Sequence, residues 1–418
     1  MTYAPQLLWV LAAVFLAEMT RDFYHFLSHQ WTPLQRLHNW HHRAYRKDFS
    51  PVSTEVYRQA QLYNDAPEAI FMMAVMALAA GTTQILGLWV GVIYSAGFLG
   101  SALLRSRGLL ASSDITHEPG VPLSGIPSYW LVNRTYHWRH HFDDTNAYYA
   151  GLFPMSDKLL GTALSLKGKT VAVTGASGTM GRALIKALAK AGAKPVALTT
   201  SSRKSAGREA ASREIAGAVK TMTWQVGQEQ SLQAALRKVD ILIINHGVNV
   251  MGARSPQAIE QSLEVNALSG WRLMEAFLET VDDRTGRATK EVWVNTSEAE
   301  VSPAFSPLYE VSKRLMGDLI NVRRTDAPCI VRKIVLGPFK SELNPYGVMG
   351  ADFIARCVLF LARRDIRNII VTINPLTCLM FPIKEVVQAV YFRLFLKGRF
   401  PKEHLSKEQD VQRKRKHS

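Results

Sequence analysis

Residues 66–104 form an apolar stretch that contains no Lys, Arg or Asp. A polar break at 81–84 (GTTQ) divides this stretch into two halves, each of which can cross a bilayer or enter it as one arm of a hairpin. A shorter apolar run covers 6–17, but it has neither the basic start nor the small-residue cleavage site of a signal peptide. We therefore predict an all-α N-terminal membrane domain; the alternative is a pair of helices buried in a soluble core.

Basic residues are distributed asymmetrically around the apolar stretch. Segment 20–65 carries six Lys or Arg and the chain after residue 104 carries more, whereas residues 1–6 and the break at 81–84 carry none. The positive-inside bias then places both basic parts in the cytoplasm. Because a hairpin returns the chain to the side it left, the histidine-bearing segments 25–42 and 117–141 are expected on one face of the membrane.

Charge and histidine content divide the chain into two unlike halves. Residues 1–165 hold 11 basic and 11 acidic residues, whereas 331–418 hold 17 basic and 7 acidic ones, and nine of the twelve histidines precede residue 142. Three cysteines exclude a disulfide framework and an all-cysteine zinc site. The basic tail 413–417 fits membrane electrostatics or simple solvation better than nucleic-acid binding, so no nucleic-acid partner is predicted.

The nine early histidines have the spacing of metal ligands. The chain reads H-x-x-x-H at 25–29 and H-x-x-H-H at both 38–42 and 137–141. Helix positions i, i+3 and i+4 share a face, so each cluster directs its imidazoles to one side. An ion takes about four to six ligands, and imidazole suits several transition metals, so two ions of unspecified identity are implied. The clustered candidates are His25, His29, His38, His41, His42, His137, His140 and His141.

Spacing alone leaves open the role of one histidine, and it brings several carboxylates near the clusters. His117 stands by itself in the segment DITHEP and is either a further ligand or a turn residue. Nearby carboxylates are expected to orient the ligand rings by accepting a hydrogen bond from the ring nitrogen that does not bind the metal. They are Asp22, Asp114, Glu118, Asp143 and Asp144.

The three histidine boxes, with Asp22 before the first and DKLLGT at 157–162, resemble the fatty acid hydroxylase/sterol desaturase superfamily over about residues 15–165. The resemblance implies a non-haem centre of two Fe at the cytoplasmic membrane surface, held by the eight clustered histidines and by His117. It also implies a lipid substrate, O2 and an external electron donor. The sequence departs from many members in reading His25-Phe26 where they have His-Arg.

After residue 166 the pattern changes to short β runs that alternate with helices. Strands are predicted at 169–173, 195–199, 221–226, 240–245, 291–296 and 329–336, which indicates a Rossmann-like α/β fold with a doubly wound parallel sheet. The first strand leads through the glycine turn 174–181 into a helix at 182–191, a context in which backbone N–H groups approach a pyrophosphate. The candidate cofactor-binding residues are Gly175, Ser177, Gly178, Thr179, Met180, Gly181, Ser201, Arg203, Asn245, Gly247 and Lys313.

The end of the second strand favours NADP over NAD, which stays possible. Hydroxyls and the cations Arg203 and Lys204 follow that strand, where an NAD enzyme usually has an acid for the ribose. These cations are alternatively solvated loop charges.

A Y-x-x-x-K motif at Tyr309 and Lys313 indicates the chemistry of this half. A tyrosine of ordinary pKa near 10 needs help to act as an acid or base near pH 7, and an ammonium one helical turn away lowers its pKa. Ser297 lies twelve residues before the tyrosine and can hold the substrate oxygen, whereas Asn266 can support a relay water.

Residues 167–340 resemble the short-chain dehydrogenase/reductase family, which implies Tyr309 as acid/base, Lys313 as its activator and ribose ligand, Ser297 as the substrate-positioning residue and Asn266 as the relay. The whole chain resembles bacterial fusions of a sterol desaturase-like half with a short-chain dehydrogenase half, and more distantly plant surface-wax proteins. Only about residues 162–168 separate the halves, so we expect them to pack together.

The expected domains are a membrane hydroxylase-like domain at 1–165, an NADP-binding domain at 166–345, and a helical extension with a basic tail at 346–418. Within the extension, 383–400 is either an amphipathic helix on the bilayer or a helix packed on the sheet. The leading hypothesis is an integral membrane enzyme, with both sites on the cytoplasmic side, that hydroxylates or desaturates a lipid and interconverts an alcohol and a carbonyl with NADP(H). The alternatives are a wax-type aldehyde- or alkane-forming enzyme, and a hydroxylase whose Rossmann domain only senses nucleotides.

Overall fold

The structure, a computed structural model, describes residues 3–111, 115–118, 123, 125–200, 219–281 and 285–396, with side chains from residue 7. A helical N-terminal part precedes an α/β part, which confirms the predicted fold class. The predicted residues Asp114, Ser201, Arg203 and Lys204 and the tail 413–417 lie outside the described residues.

The N-terminal part is built from helices joined by short turns. A π-helical turn, Gln61–Asp65, joins α3 to α4, and Gln84 ends α4 with a left-handed φ of 56° at the predicted polar break. Two helical runs, Thr54–Thr83 and Leu86–Ser106, are long and apolar enough to cross a membrane. The helices are α1 (Tyr3–Gln30), α2 (Thr32–Ala44), α3 (Thr54–Ala60), α4 (Ala66–Thr83), α5 (Trp89–Ser106), α6 (Arg134–Phe142) and α7 (Met155–Leu160).

The apolar helices α1, α4 and α5 pack through small residues and turn large ones outward. A Cβ on Gly91 would lie 3.1 Å from the Ala13 carbonyl oxygen, so the glycine lets α5 approach α1 closely. On the outer surface, Leu78, Leu86 and Ile93 are each about 70% exposed. Large exposed apolar side chains of this kind are compatible with the membrane association that the two long apolar helices suggest.

The α/β part is a parallel sheet in the order β3-β2-β1-β4-β5-β6-β7. The order reverses between β1 and β4, which opens the crevice where such folds bind ligands. The strands are β1 (Thr170–Thr174), β2 (Lys194–Thr200), β3 (Lys220–Trp224), β4 (Ile241–Ile244), β5 (Glu291–Ser297), β6 (Ile330–Leu336) and β7 (Asn368–Val371). The helices are α8 (Thr179–Lys190), α9 (Gln233–Leu236), α10 (Pro256–Leu263), α11 (Ser269–Leu278), α12 (Gly286–Thr289), α13 (Pro307–Arg323), α14 (Ala351–Ala362) and α15 (Pro375–Phe395).

The sheet runs past residue 345, where the sequence placed the start of a helical extension. Strand β7 pairs with β6 in parallel, and α14 packs on the same sheet, so both belong to the α/β part. The four residues of β7 were too short to stand out as a strand. Helix α15 is anchored on α13, since the Asn321 amide donates to Glu385 Oε1 at 2.8 Å, while Val386 and Val390 remain exposed. One face of α15 thus packs on the α/β part, whereas contact of its other face with a bilayer stays a prediction; residues 397–400 lie outside the described residues.

The two parts pack directly on each other, as the short junction predicts. Arg139 of the histidine-bearing helix α6 is 2% exposed, and its guanidinium lies 3.5 Å from the carboxylate of Glu291, the first residue of β5. Arg332 of β6 binds the same carboxylate at 2.7 and 3.0 Å. Burial alone would raise the pKa of Glu291, but Arg332 and then Arg139 outweigh burial and lower it to about 2.

Replacing Glu291 should destabilise both parts of the chain together. Glu291→Gln leaves the buried guanidiniums of Arg139 and Arg332 without their shared anion, and losing one partner of a buried ion pair costs about 3–5 kcal/mol. We expect a loss of this order in the free energy of unfolding, measured in detergent micelles. The control Lys186→Ala breaks an exposed pair with Asp352, worth at most about 1 kcal/mol. Equal losses in the two variants would contradict this account.

Candidate functional site

The histidine boxes converge into two groups of four rings. In each group the ligand nitrogens all lie within 4.8 Å of one another, although the rings come from segments far apart in the chain. The first group takes its rings from α1, α2 and α6, and the second from α2, the turn at 115–117 and α6. The first group is His25, His29, His38 and His140, and the second is His41, His117, His137 and His141.

In the first group, hydrogen bonds fix which ring nitrogen faces the centre. The Nδ1 atoms of His25 and His140 lie 2.7 and 2.8 Å from the carbonyl oxygens of Tyr149 and Ala147, which can only accept. Each Nδ1 therefore carries the proton, and each Nε2 presents a lone pair. These two Nε2 atoms are 2.9 Å apart. Two lone pairs at that distance repel each other unless a cation lies between or beside them, so the donor set fits a metal ion.

The second group has the same character. The Nε2 atoms of His117, His137 and His141 form a triangle with edges of 3.0, 3.1 and 3.2 Å. Neutral rings cannot supply a proton to every edge of such a triangle. Burial lowers the pKa of His41 and His141 well below the ordinary value, which keeps these rings neutral and able to bind a metal. This geometry also brings His117 into the group, the assignment that the spacing left open.

His42 lies between the two groups rather than in either. Its Nε2 is 3.5 Å from that of His29, and its ring centroid is 4.8 Å from that of His140 and 4.9 Å from that of His141. Among the predicted ligands it is therefore the one whose assignment to a single ion the geometry leaves open.

In the first group, three rings are oriented by different groups from those the sequence suggested. The third Nδ1 contact of the first group is from His38 to Asn64 Oδ1 at 2.7 Å, so backbone carbonyls and an amide take the role expected of carboxylates. Asp22 accepts from Gly151 N and Ser156 Oγ, and Asp144 accepts from Ser165 Oγ. Asp143 pairs with Lys169.

A buried carboxylate in α7 holds the loop that supplies one of these carbonyls. Asp157 accepts from the backbone N–H groups of Tyr149 and Ala150 at 2.9 and 2.8 Å, and from the hydroxyls of Tyr136 and Thr162. Burial raises the pKa of Asp157, and these hydrogen bonds oppose the rise. The DKLLGT segment thus acts on the histidine centre through the Tyr149 carbonyl.

The second site is a cleft of about 480 Å³ at the carboxyl ends of the central strands. It takes in most of the predicted cofactor residues, and the sheet reverses its strand order beside it. The predicted residues that line it are Gly175, Ser177, Gly178, Thr179, Met180, Asn245, Gly247, Tyr309 and Lys313.

The glycine turn has the form of a phosphate cradle. Gly175 adopts a φ of 61°, and a Cβ there would lie 3.0 Å from His246 Cα. Gly181 does not line the cleft; a Cβ on it would lie 2.7 Å from Ala176 Cα, so it allows α8 to pack closely on the turn. The first residues of α8, Thr179 and Met180, line the cleft, and a helix N-terminus in this position fits the pyrophosphate of a dinucleotide.

The predicted catalytic residues converge at one side of the cleft. Tyr309 and Lys313 lie on α13 and line the cleft, and Ser297 ends β5 beside Tyr309. Burial raises the pKa of Tyr309, and the Ser297 side chain opposes that rise. Burial lowers the pKa of Lys313 to about 8, and its ammonium donates to the Asn295 carbonyl at 3.3 Å.

Asn266 lies next to the cleft and stabilises a segment that lines it. It sits in a π-helical turn, where its Oδ1 accepts from Val248 N at 2.7 Å and its amide donates to the Val248 carbonyl at 2.9 Å. The same amide donates to Ser312 Oγ at 3.0 Å. These contacts fix the segment that follows β4, so that Gly247 lies beside Lys313.

Three residues that the sequence did not assign also form the cleft. His246 follows β4 and lies 2.9 Å from Thr174 Oγ1, and its pKa is lowered to about 4 by burial and by Lys313. Asn295 donates to Asn245 Oδ1 at 2.6 Å, and Thr200 ends β2 at the rim. Their positions in the sequence could have identified them, because each residue lies at or just beyond the carboxyl end of a predicted strand.

Comparison with known proteins agrees with this division. The fatty acid hydroxylase family model matches residues 10–162, and the short chain dehydrogenase model matches residues 169–344. A protein of Synechocystis named monoglucosyldiacylglycerol epimerase is 52% identical over 405 residues, which cover 93% of this chain and 97% of that protein.

Solved structures resemble the α/β part. An alcohol dehydrogenase of Thermococcus sibiricus in complex with 5-hydroxy-NADP is 21% identical, with a TM-score of 0.42 over 50% of this chain and 96% of that chain. A short chain dehydrogenase of Burkholderia cenocepacia in complex with NADP is also 21% identical, with a TM-score of 0.44 over 56% of this chain and 100% of that chain.

The two model matches abut at the junction between the helical part and the sheet, and the full-length relative extends across both. The chain belongs to the family of two-domain enzymes in which a fatty acid hydroxylase domain is followed by a short-chain dehydrogenase domain.

Proposed function

We propose that this enzyme inverts a hydroxyl-bearing carbon in the sugar headgroup of a membrane glycolipid, by interconverting alcohol and ketone in the dehydrogenase cleft. The observation that carries the proposal is that Tyr309 and the buried Lys313 line one cleft together with a phosphate cradle, with Ser297 beside the tyrosine. The name of the Synechocystis relative supports the substrate class. Oxidation on one face and reduction on the other leaves the redox state of the lipid unchanged.

In this mechanism the side chains of the cleft transfer the hydroxyl proton of the substrate and bind the substrate oxygen. A bound NADP supplies hydride exchange with the carbon, and NAD is the alternative. Tyr309 takes the hydroxyl proton as the ketone forms and returns it when the alcohol forms again. Ser297 donates to the substrate oxygen, and Lys313 holds positive charge beside the tyrosine. Between the two events the ketone must turn its other face to the cofactor.

For the hydroxylase domain we propose two iron ions, one at each histidine group. Bound iron would supply O2-dependent oxidation of a lipid C–H bond, with single electrons from an external donor. The support is the facing lone pairs of His25 and His140 and the triangle of His117, His137 and His141. Both sites would face the cytoplasm, as the basic residues of 20–65 predict.

Removing the tyrosine hydroxyl tests the cleft chemistry. Tyr309→Phe should lower the rate of headgroup inversion by about 10²–10⁴-fold, the usual worth of a general acid–base group. The rate is measured on monoglucosyldiacylglycerol in mixed micelles, with the epimers separated by chromatography. NADPH affinity should stay within about twofold. Tyr391→Phe, on the exposed face of α15, is the control. Full activity of Tyr309→Phe would instead support a nucleotide-sensing role.

Metal analysis tests the histidine centre without any assay of activity. Wild-type protein should contain close to two iron ions per chain, and His41→Ala should lose at least one of them because it removes a ligand of the second group. His246→Ala removes an imidazole that belongs to neither group and should keep both ions. Wild-type protein with no bound metal, or His41→Ala protein with the iron content of the wild type, would refute the centre.

Nucleotide binding should depend on pH through Lys313. Its pKa of about 8 in the free protein means that the ammonium is charged at pH 7 and neutral at pH 9.5. The dissociation constant of NADPH, measured by fluorescence, should therefore rise by several-fold as the pH rises through 8. Lys313→Met should bind weakly at pH 7 and show no such change. A flat wild-type profile between pH 7 and 9.5 would contradict the assignment.

A further inference from the structure

A cavity of about 610 Å³ lies directly against the histidine centre. Rings from both groups line it, so whatever occupies the cavity faces both candidate metal positions. These rings are His25, His38, His41, His117 and His137.

Polar side chains from three apolar helices line this cavity together. Glu18 and Arg21 come from α1, Glu68 from the first turn of α4, and Ser101 and Arg105 from the end of α5. Ionisable residues in membrane helices are costly, and they face a protein interior or a polar cavity where function requires them.

The charges of the cavity form a connected network. Arg21 lies 3.1 Å from one oxygen of Glu18 and 3.7 Å from Glu68, and Tyr94 donates to the other oxygen of Glu18 at 2.6 Å. Glu18 is only 1% exposed. Carboxylates held in this way can accept hydrogen bonds from a ligand, and hydroxyl groups are the donors that suit them.

The π-helical turn aims a second row of polar groups into the cavity. Gln61, Asn64, Asp65 and Glu68 follow one helix face and all line it. Gln61 is 2% exposed, and its Oε1 has no hydrogen-bond partner among the described residues. A buried carbonyl oxygen without a donor is unfavourable, so it marks a position where a ligand donor belongs. π-turns are frequent at functional sites.

Apolar ends of the same helices extend beyond the polar side chains of the cavity. Exposed Leu7 precedes Glu18 by eleven helix positions, a rise of about 16 Å along α1. Exposed Leu78 follows Glu68 by ten positions on α4. If these helices cross a bilayer, a lipid whose acyl chains lie along those ends can bring its polar headgroup to the histidines.

We propose that this cavity, defined by Glu18, Arg21, Gln61 and Glu68, binds the sugar headgroup of the glycolipid, so that the histidine centre faces hydroxyl-bearing ring carbons rather than an acyl chain. The inference rests on the glycolipid substrate proposed above. Carboxylates, a guanidinium and an amide match the hydroxyl groups of a sugar, and the ring of Phe98 offers an apolar surface to its C–H groups.

Photo-crosslinking with two forms of one lipid tests the proposal. One monoglucosyldiacylglycerol carries a diazirine on the glucosyl ring, and the other carries it at the end of an acyl chain. In full-length protein in micelles, we expect the glucosyl probe to label peptides from 57–69 or 94–105 and the acyl probe to label neither. Unlabelled monoglucosyldiacylglycerol should compete, whereas diacylglycerol should not.

A matched pair of variants refines the test. Gln61→Leu should reduce this labelling at least tenfold while iron content and thermal unfolding stay as in the wild type. Gln59→Leu is the control, because the Gln59 amide bonds Glu55 on the outside of the same helix.

Each contrary outcome has a distinct meaning. Labelling of the cavity by the acyl probe would overturn the inference. Glucosyl labelling confined to the dehydrogenase cleft would also overturn it while leaving the proposed function intact. Absence of glucosyl labelling from both sites would reject the inference together with the proposed function.

Discussion

The buried carboxylate of Glu291 joins the two halves of the enzyme. Arg139 stands between the candidate ligands His137 and His140 on α6, and its guanidinium reaches across to the sheet, where Arg332 binds the same anion. Charges in a low-dielectric interior are costly unless they are paired, so these three side chains hold one another in place. The orientation of the histidine helix is therefore set by the position of a β-strand in the dehydrogenase domain.

The histidine centre depends on a second constraint, which is the direction of its ring protons. Backbone carbonyls of Tyr149 and Ala147 take the Nδ1 protons of His25 and His140, so the lone pairs must point at one another. The loop that offers these carbonyls is tied down by the buried Asp157. The lone pairs repel one another, and a bound cation would remove this repulsion. Hydrogen bonds elsewhere in the folded chain hold the rings in this arrangement.

Much of this architecture could be predicted from local patterns. Histidine spacing, the glycine turn and the Y-x-x-x-K motif are short-range features, and the structure brings their residues together. The acceptors of the ring protons could not be predicted, because Tyr149 meets His25 across 124 positions and offers only its backbone. The polar cavity was equally hidden: single charges such as Glu18 and Glu68 look like isolated interruptions of apolar helices until the fold places them side by side.

The two proposals together limit how a substrate can move. If one sugar headgroup enters both the histidine cavity and the dehydrogenase cleft, either the domains or the lipid must shift between them. Arg363 donates to the Gly161 carbonyl and Arg367 to that of Pro127, in addition to the Arg139–Glu291 pair, so the domains are bound at several separate points. The lipid is then the mobile partner. A headgroup anchored by its acyl chains at a fixed depth can reach a second site on the same face by lateral movement alone.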